Sequence, residues 1–362
     1  MTRINNAPRP VAPDKAIRIA ALATASPPFK IGQKDAEAFL KLHYAKKFGS
    51  RNQAIMRQVF HHPSIAERHF AFEDPLCLID EEPDERMERF TGWAVRLSAE
   101  ALNCALDRAG VAAEALGGLV INTCTGYICP GISTYLFEKI GLSRDIPAYD
   151  LVGSGCGGAI PNLQIAENLL RASGTEAVAC VSVEICSATF QMEDEPSLIV
   201  SNALFGDGAA AAVLWKRPRG LALRATASRF LPEYRESIRY IYKNGKLHNQ
   251  LAPDLPQVVS RPVGEIVREF LRQEGLQVED IQHWAIHPGG DKVISAIQKE
   301  LGLSDRNLEA TRLVLKNYGN MSSATVWFIL REILDRGTAP GERVMLLAFG
   351  AGLSIHVYLL QA

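Results

Sequence analysis

Three residues far apart in the chain have the types and settings for thioester chemistry: Cys156, His287 and Asn320. Cys156 stands in Gly153-Ser154-Gly155-Cys156-Gly157-Gly158, directly before a helical pattern. The glycines permit a sharp turn and leave room for a ligand to approach the sulfur. N–H groups at a helix start stabilise a thiolate and can donate to an oxyanion on a thioester carbon. A buried cysteine in a tight strand-to-helix turn would have the same pattern. His287 ends the apolar run His283-Trp284-Ala285-Ile286 and precedes Pro288-Gly289-Gly290. Strand tips of this kind are where α/β folds place reactive groups, although a histidine buried for packing would read alike. Asn320, in Tyr318-Gly319-Asn320-Met321-Ser322-Ser323, could cap the helix that follows, or donate its amide to a carbonyl that is gaining negative charge. The three together make a nucleophile with two oxyanion donors and no general-base carboxylate. That set suits decarboxylative condensation, in which loss of CO2 supplies the carbanion and the protein stabilises an enolate.

The elements that must hold these residues alternate between apolar, strand-like runs and amphipathic helical stretches, as in a layered α/β fold. The spacing predicts strands at 118–123, 177–184, 209–214, 283–287, 344–348 and 354–360. It predicts helices at 93–109, 158–172, 263–273 and 322–335. An internal duplication runs through them. A helical stretch ending at Gly110 leads into the strand at 118–123, and one ending at Gly275 leads into the strand at 283–287. Gly110 matches Gly275 at a separation of 165 residues, and Cys156 matches Asn320 at 164. Two correspondences at nearly one offset imply a repeated α/β unit, with halves at 17–218 and 219–362 after a lead-in at 1–16. Equivalent loops of the halves would then meet, bringing Cys156 opposite Asn320.

Bulk properties narrow the partners. The chain has 362 residues, enough for a large core, and 39 basic against 40 acidic side chains leave a charge of −1. No bulk positive field recruits nucleic acid. No apolar run is long enough for a membrane span or a secretory signal, which reads as cytoplasmic. Seven cysteines without metal-ligand spacing read as reduced thiols, so neither a metal nor a disulfide framework is expected. Glu184 and Asp207 read as structural ties.

Four motifs carry a family resemblance across nearly the whole chain: Gly155-Cys156-Gly157-Gly158, Leu204-Phe205-Gly206-Asp207-Gly208, Ile286-His287-Pro288-Gly289-Gly290 and Tyr318-Gly319-Asn320-Met321-Ser322-Ser323. With them the sequence resembles the chalcone synthase, or type III polyketide synthase, family, and within it the bacterial alkylresorcinol and alkylpyrone synthases. The resemblance implies a thiolase-like αβαβα fold, a homodimer, and acyl-CoA and malonyl-CoA as substrates with no separate cofactor. It makes Cys156 the acyl-carrying nucleophile, His287 and Asn320 the enolate-stabilising pair, and Phe205 the gate between a CoA tunnel and the cavity. Ser322 joins the substrate-binding set. Arg57 and Arg68 are the expected CoA phosphate contacts, with Gly289 and Gly290 also facing CoA. Departures from plant members are informative. Leu247 stands where they have a second phenylalanine gate, and Cys129 where a methionine enters the partner's cavity. Cys124-Thr125 replaces a Thr-Ser pair, and Cys186 with Thr189 replaces a threonine-rich lining. A more apolar lining suits a fatty acyl starter, with cyclisation to a resorcinol or pyrone. A single-round ketoacyl synthase III-like enzyme and a non-catalytic thiolase-fold scaffold are the alternatives.

Overall fold

A computed structural model describes residues 16–172, 174–243 and 246–362. The expected lead-in lies outside the described residues except for Ala16. Nine strands form one mixed sheet, in the spatial order His283–Ile286, Arg343–Gly350, Ser354–Gln361, Leu221–Phe230, Arg18–Ala25, Gly208–Trp215, Ala177–Glu184, Leu119–Asn122, Ala148–Leu151. The order is mirrored about its centre. Outward from Arg18–Ala25, the pairings run antiparallel, antiparallel, then parallel. Outward from Leu221–Phe230 they run antiparallel, antiparallel and parallel again. Within the sheet, the pairing of Arg18 and Ile19 with Ala222 and Leu221 joins the two halves. Among the described residues of this sheet, Ala148–Leu151 lacks a counterpart in the other half.

Period-two alternation sorts side chains into layers. In Ala177–Glu184, Val178 and Cys180 face the central core, whereas Ala177, Ala179, Val181 and Val183 face the long helix Pro83–Ala109. In Arg343–Gly350, Val344, Leu346 and Ala348 face the same central core, while Met345, Leu347 and Phe349 face the helices Leu255–Gln273 and Asp291–Leu301. The central layer is the helix pair Ala159–Ala172 and Thr325–Arg336. With the nine strands divided between Arg18–Ala25 and Leu221–Phe230, helix, half-sheet, helix pair, half-sheet and helix make five layers, the αβαβα fold built from two duplicated halves. Strands covered on both faces need apolar residues at every position, hence their continuous hydrophobic runs.

Several elements extend beyond their sequence signals. The helix expected from residue 93 begins at Pro83, where proline at the first turn and a Glu82/Glu85 capping box start it. The helix expected from 263 begins at Leu255 and runs through Pro262. Gly110 and Gly275, the matched helix stops, both take left-handed φ, 65° and 70°, a conformation open to glycine at little cost.

Candidate active site

The two central helices begin at the site. Gly155–Gly157 forms a single turn ahead of Ala159–Ala172, and Ser322–Ala324 forms one ahead of Thr325–Arg336. The turns pack together, and Ser322 Oγ donates to Cys156 Sγ at 3.3 Å. The backbone of Gly350 closes the far side: a Cβ there would lie 2.4 Å from Ser154 O and 2.5 Å from Gly157 N. His287 comes from the end of its strand, its N–H bonded to Leu347 O at 2.8 Å and its ring edge-on to Phe349. Cys156, His287 and Asn320 line one cleft with Phe205, Cys124 and Gly289.

Electrostatics leave the resting site uncharged at its reactive atoms. Burial pushes the Cys156 thiol up to about 12, outweighing the Ser322 hydrogen bond and the backbone N–H, which act the other way. The sequence expectation of a stabilised thiolate is thus corrected: the helix-start contribution exists, but desolvation is larger. Burial also holds His287 down at about 3, so its imidazole is neutral. Nδ1 is buried with no hydrogen-bond partner among the described residues. Placing the proton on the other ring nitrogen avoids an orphaned buried donor and gives the cleft an N–H.

The Asn320 side chain has one atom for each of its two readings. Its Oδ1 accepts from Ser322 N at 2.8 Å, a cap of the following turn, and the amide NH2 is then the group left to donate. Gly319, at φ 69°, is required beside it, because a Cβ would lie 2.6 Å from Leu204 O. Ser322 holds φ 48° without being glycine. Such an outlier, adjoining Cys156, fits a position where geometry is held for function at some cost in strain.

Beneath the cleft, Glu184 is fully buried and accepts from Cys124 N at 3.0 Å, Thr125 Oγ1 at 3.0 Å, and the hydroxyls of Thr123 and Ser323. Asp207 accepts from Ala71 N, Ser187 N and Ser187 Oγ at 2.6–2.8 Å. Burial raises both carboxyls above their usual range, against the pull of these donors. Both tie loops together away from the reacting atoms.

The other expected site residues divide. Phe205 lines both the cleft and an apolar compartment behind it, where Cys186 and Thr189 stand with Phe39, Phe70 and Phe190. Leu247 lines an outer chamber that shares Cys124 and Tyr240 with the cleft. Cys129 is exposed and outside these cavities, and Arg57 is exposed on the helix Ser50–Phe60. Gly290 precedes the helix Asp291–Leu301. Two expectations are corrected. Thr125 is 2% exposed and its hydroxyl is committed to Glu184 and to Ile185 N, so it does not line the cleft. Arg68 is 1% exposed, with Nε bonded to Gln33 Oε1 and Nη1 to Asn202 O and Phe205 O, so it is not placed to meet a CoA phosphate. Sequence reasoning missed Tyr240, which lines the cleft. It lies in the strand Ile238–Lys243, which pairs antiparallel with Lys246–Leu251 and carries no motif.

Comparison with known proteins agrees with this geometry. Residues 27–228 match the family described as FAE1/type III polyketide synthase-like protein, and residues 222–362 match chalcone and stilbene synthases, C-terminal domain. A 3,5-dihydroxyphenylacetyl-CoA synthase of Streptomyces toyocaensis is 32% identical over 329 residues, covering 87% of this chain and 84% of its own. The alpha-pyrone synthesis polyketide synthase-like Pks18 of Mycobacterium tuberculosis is 30% identical over 364 residues, covering 96% and 91%. The crystal structure of PKS-I from the brown alga Ectocarpus siliculosus has the same fold, with a TM-score of 0.89 at 24% identity over 96% of this chain and 98% of that one. The chain therefore belongs to the type III polyketide synthase family, which is chalcone synthase-like and made up of CoA-dependent acyltransferases.

Proposed function

We propose that this polyketide synthase takes a fatty acyl group from acyl-CoA onto Cys156, extends it with several malonyl units, and closes the product to a resorcinol or a pyrone. The observation that carries the reading is the position of Phe205. It stands between the cleft of Cys156, His287 and Asn320 and an apolar compartment bordered by Cys186 and Thr189. A hydrocarbon tail needs a lining with few unpaired hydroxyls, and Thr189 Oγ1 is already bonded to Cys186 O at 2.8 Å.

The chemistry follows from the neutral resting site. Cys156 sulfur attacks the acyl-CoA carbonyl, the C–S bond to CoA breaks, and the thiol proton leaves with CoA. Malonyl-CoA then loses CO2, and the electrons of the broken C–C bond become an enolate. The Asn320 amide and the His287 N–H donate to the enolate oxygen in a desolvated cleft, where fixed donors act most strongly. The enolate carbon attacks the Cys156 thioester, a C–C bond forms, and the sulfur departs as a thiolate able to recapture the lengthened chain. Arg57, Gly289 and Gly290 are the candidates to meet CoA. Assembly as a homodimer, with exposed Cys129 turned to a partner, belongs to the same reading.

The test is competition among hexanoyl-, decanoyl- and palmitoyl-CoA with malonyl-CoA, products read by mass spectrometry. Four more buried methylenes would favour decanoyl over hexanoyl by up to about 3 kcal/mol. Preference for an aromatic starter, or use of malonyl-CoA alone, would overturn the fatty acyl reading.

A further inference from the structure

The helix Pro196–Leu204 leads directly to the gate, and its end is unusual. Phe205 is extended (φ −79°, ψ 146°), so no left-handed glycine turns back to satisfy the last carbonyls. Two buried side chains from elsewhere do it. Arg68 Nη1 donates to Asn202 O and to Phe205 O, both at 2.7 Å, and Gln33 Nε2 donates to Ala203 O at 2.8 Å. The two are linked, Arg68 Nε donating to Gln33 Oε1 at 2.9 Å. The guanidinium lies against the rings of Phe70 and Phe60, at 4.9 and 5.9 Å from their centroids.

The same junction carries Asn320. Phe205 and Asn320 form an isolated parallel bridge, with Asn320 N donating to Leu204 O at 2.9 Å and Gly206 N to Asn320 O at 3.0 Å. The stem of Arg68 fills the space beside Gly319, where a Cβ would come within 2.8 Å of Arg68 Cγ and Cδ. A buried cation with a planar, multi-donor head therefore holds the gate's backbone and packs behind the residue preceding Asn320. A lysine has a single nitrogen and cannot reproduce the fork.

We propose that Arg68, supported by Gln33, is a positioning residue that fixes Phe205 and Asn320 as one unit, setting the enolate donor and the gate together. Arg68 borders the compartment behind Phe205 but is not among the residues lining the cleft of Cys156, His287 and Asn320. The inference rests on the assignment of Asn320 as a donor to the enolate.

The experiment compares Arg68→Lys, Gln33→Met and Asn320→Ala with the wild-type enzyme, using malonyl-CoA decarboxylation without starter, thermal melting, and the number of malonyl units in products. Displacement of a catalytic group by about 1 Å can cost roughly 100-fold. Arg68→Lys should therefore lower decarboxylation kcat by roughly 10- to 100-fold while KM for malonyl-CoA changes little. The distribution of extension numbers should broaden as the gate loosens. Gln33→Met should move both readouts the same way by less. A purely structural role would lower the melting temperature and leave kcat per folded enzyme and product distribution unchanged, which would overturn the proposal. Should Arg68→Lys not fold, wild-type kcat and products in Gln33→Met would overturn it equally. If Asn320→Ala itself leaves decarboxylation intact, the assignment of Asn320 fails instead, so the two failures are distinct.

Discussion

Replacing Asn320 by aspartate separates the two tasks its side chain can perform. Oδ1 caps Ser322 N at 2.8 Å, and aspartate keeps an oxygen there. The NH2 donor disappears, and at pH 8.5 the new carboxyl would be ionised with nothing to donate. Asn320→Ala removes both cap and donor. Loss of the cap should cost about 1 kcal/mol of stability in Asn320→Ala, whereas Asn320→Asp keeps the cap and bears instead the cost of a buried charge, which eases as pH falls and the carboxyl is protonated. Loss of one donor to a developing oxyanion costs roughly 100- to 1000-fold in turnover, about 3–4 kcal/mol. Both variants should thus lose malonyl-CoA decarboxylation by at least roughly 100-fold, measured as acetyl-CoA formed without starter. Acyl loading, which requires no enolate, should fall much less. The Asp variant should regain activity as pH is lowered and its carboxyl takes up a proton it can donate. Full decarboxylation in Asn320→Asp, with any deficit in Asn320→Ala matched by lost stability, would refute the reasoning and leave Asn320 as a cap.

Other outcomes follow from the same geometry. Ser322→Ala removes the hydroxyl that donates to Cys156 Sγ at 3.3 Å, and should slow the burst of CoA release on acyl loading by roughly 10-fold or more, since a hydrogen bond to a forming thiolate is charge-assisted. His356 is 1% exposed and held by burial at about 4 against its usual 6.5, so the unfolded chain takes up a proton that the fold refuses. Its contribution is complete above pH 6.5 and is lost as pH falls toward 4, by roughly 3 kcal/mol. Urea titrations of wild type and His356→Gln should differ in slope across that window, and parallel curves would contradict the assignment. Cys186→Phe should fill the compartment behind Phe205 and shift preference toward hexanoyl-CoA, at a cost of roughly 1–3 kcal/mol for longer chains. An unchanged product profile would place the tail elsewhere.

The frame was legible where local pattern and tertiary role coincide. Strands buried on both faces, such as Ala177–Glu184 and Arg343–Gly350, announce themselves as unbroken apolar runs. Gly110 and Gly275 mark equivalent helix stops because both must be left-handed. Cys156 and Asn320 could be paired because each opens a helix of the central layer. What the sequence concealed depends on burial that no local window reports. Arg68 read as a CoA phosphate contact, and only the fold reveals that it closes a helix end that no glycine finishes. Thr125 looked like a lining residue, but its hydroxyl is turned to buried Glu184. The Cys156 thiol was expected to be acidified by its helix start, and desolvation reverses the direction. Pro262 hid the first part of the helix Leu255–Gln273, whose apolar face nonetheless packs continuously from Leu255 to Leu271.

The central claim is that Cys156 carries the growing chain, and the acyl-enzyme itself tests it. Wild-type protein incubated with decanoyl-CoA alone, denatured in acid, digested and read by mass spectrometry should carry one decanoyl group, on the peptide containing Cys156. Cys156→Ala should remain folded, form no such adduct and make no polyketide. A decanoyl thioester found instead on Cys124, which shares the Ser322 hydroxyl with Cys156, or polyketide formation surviving in Cys156→Ala, would contradict the account.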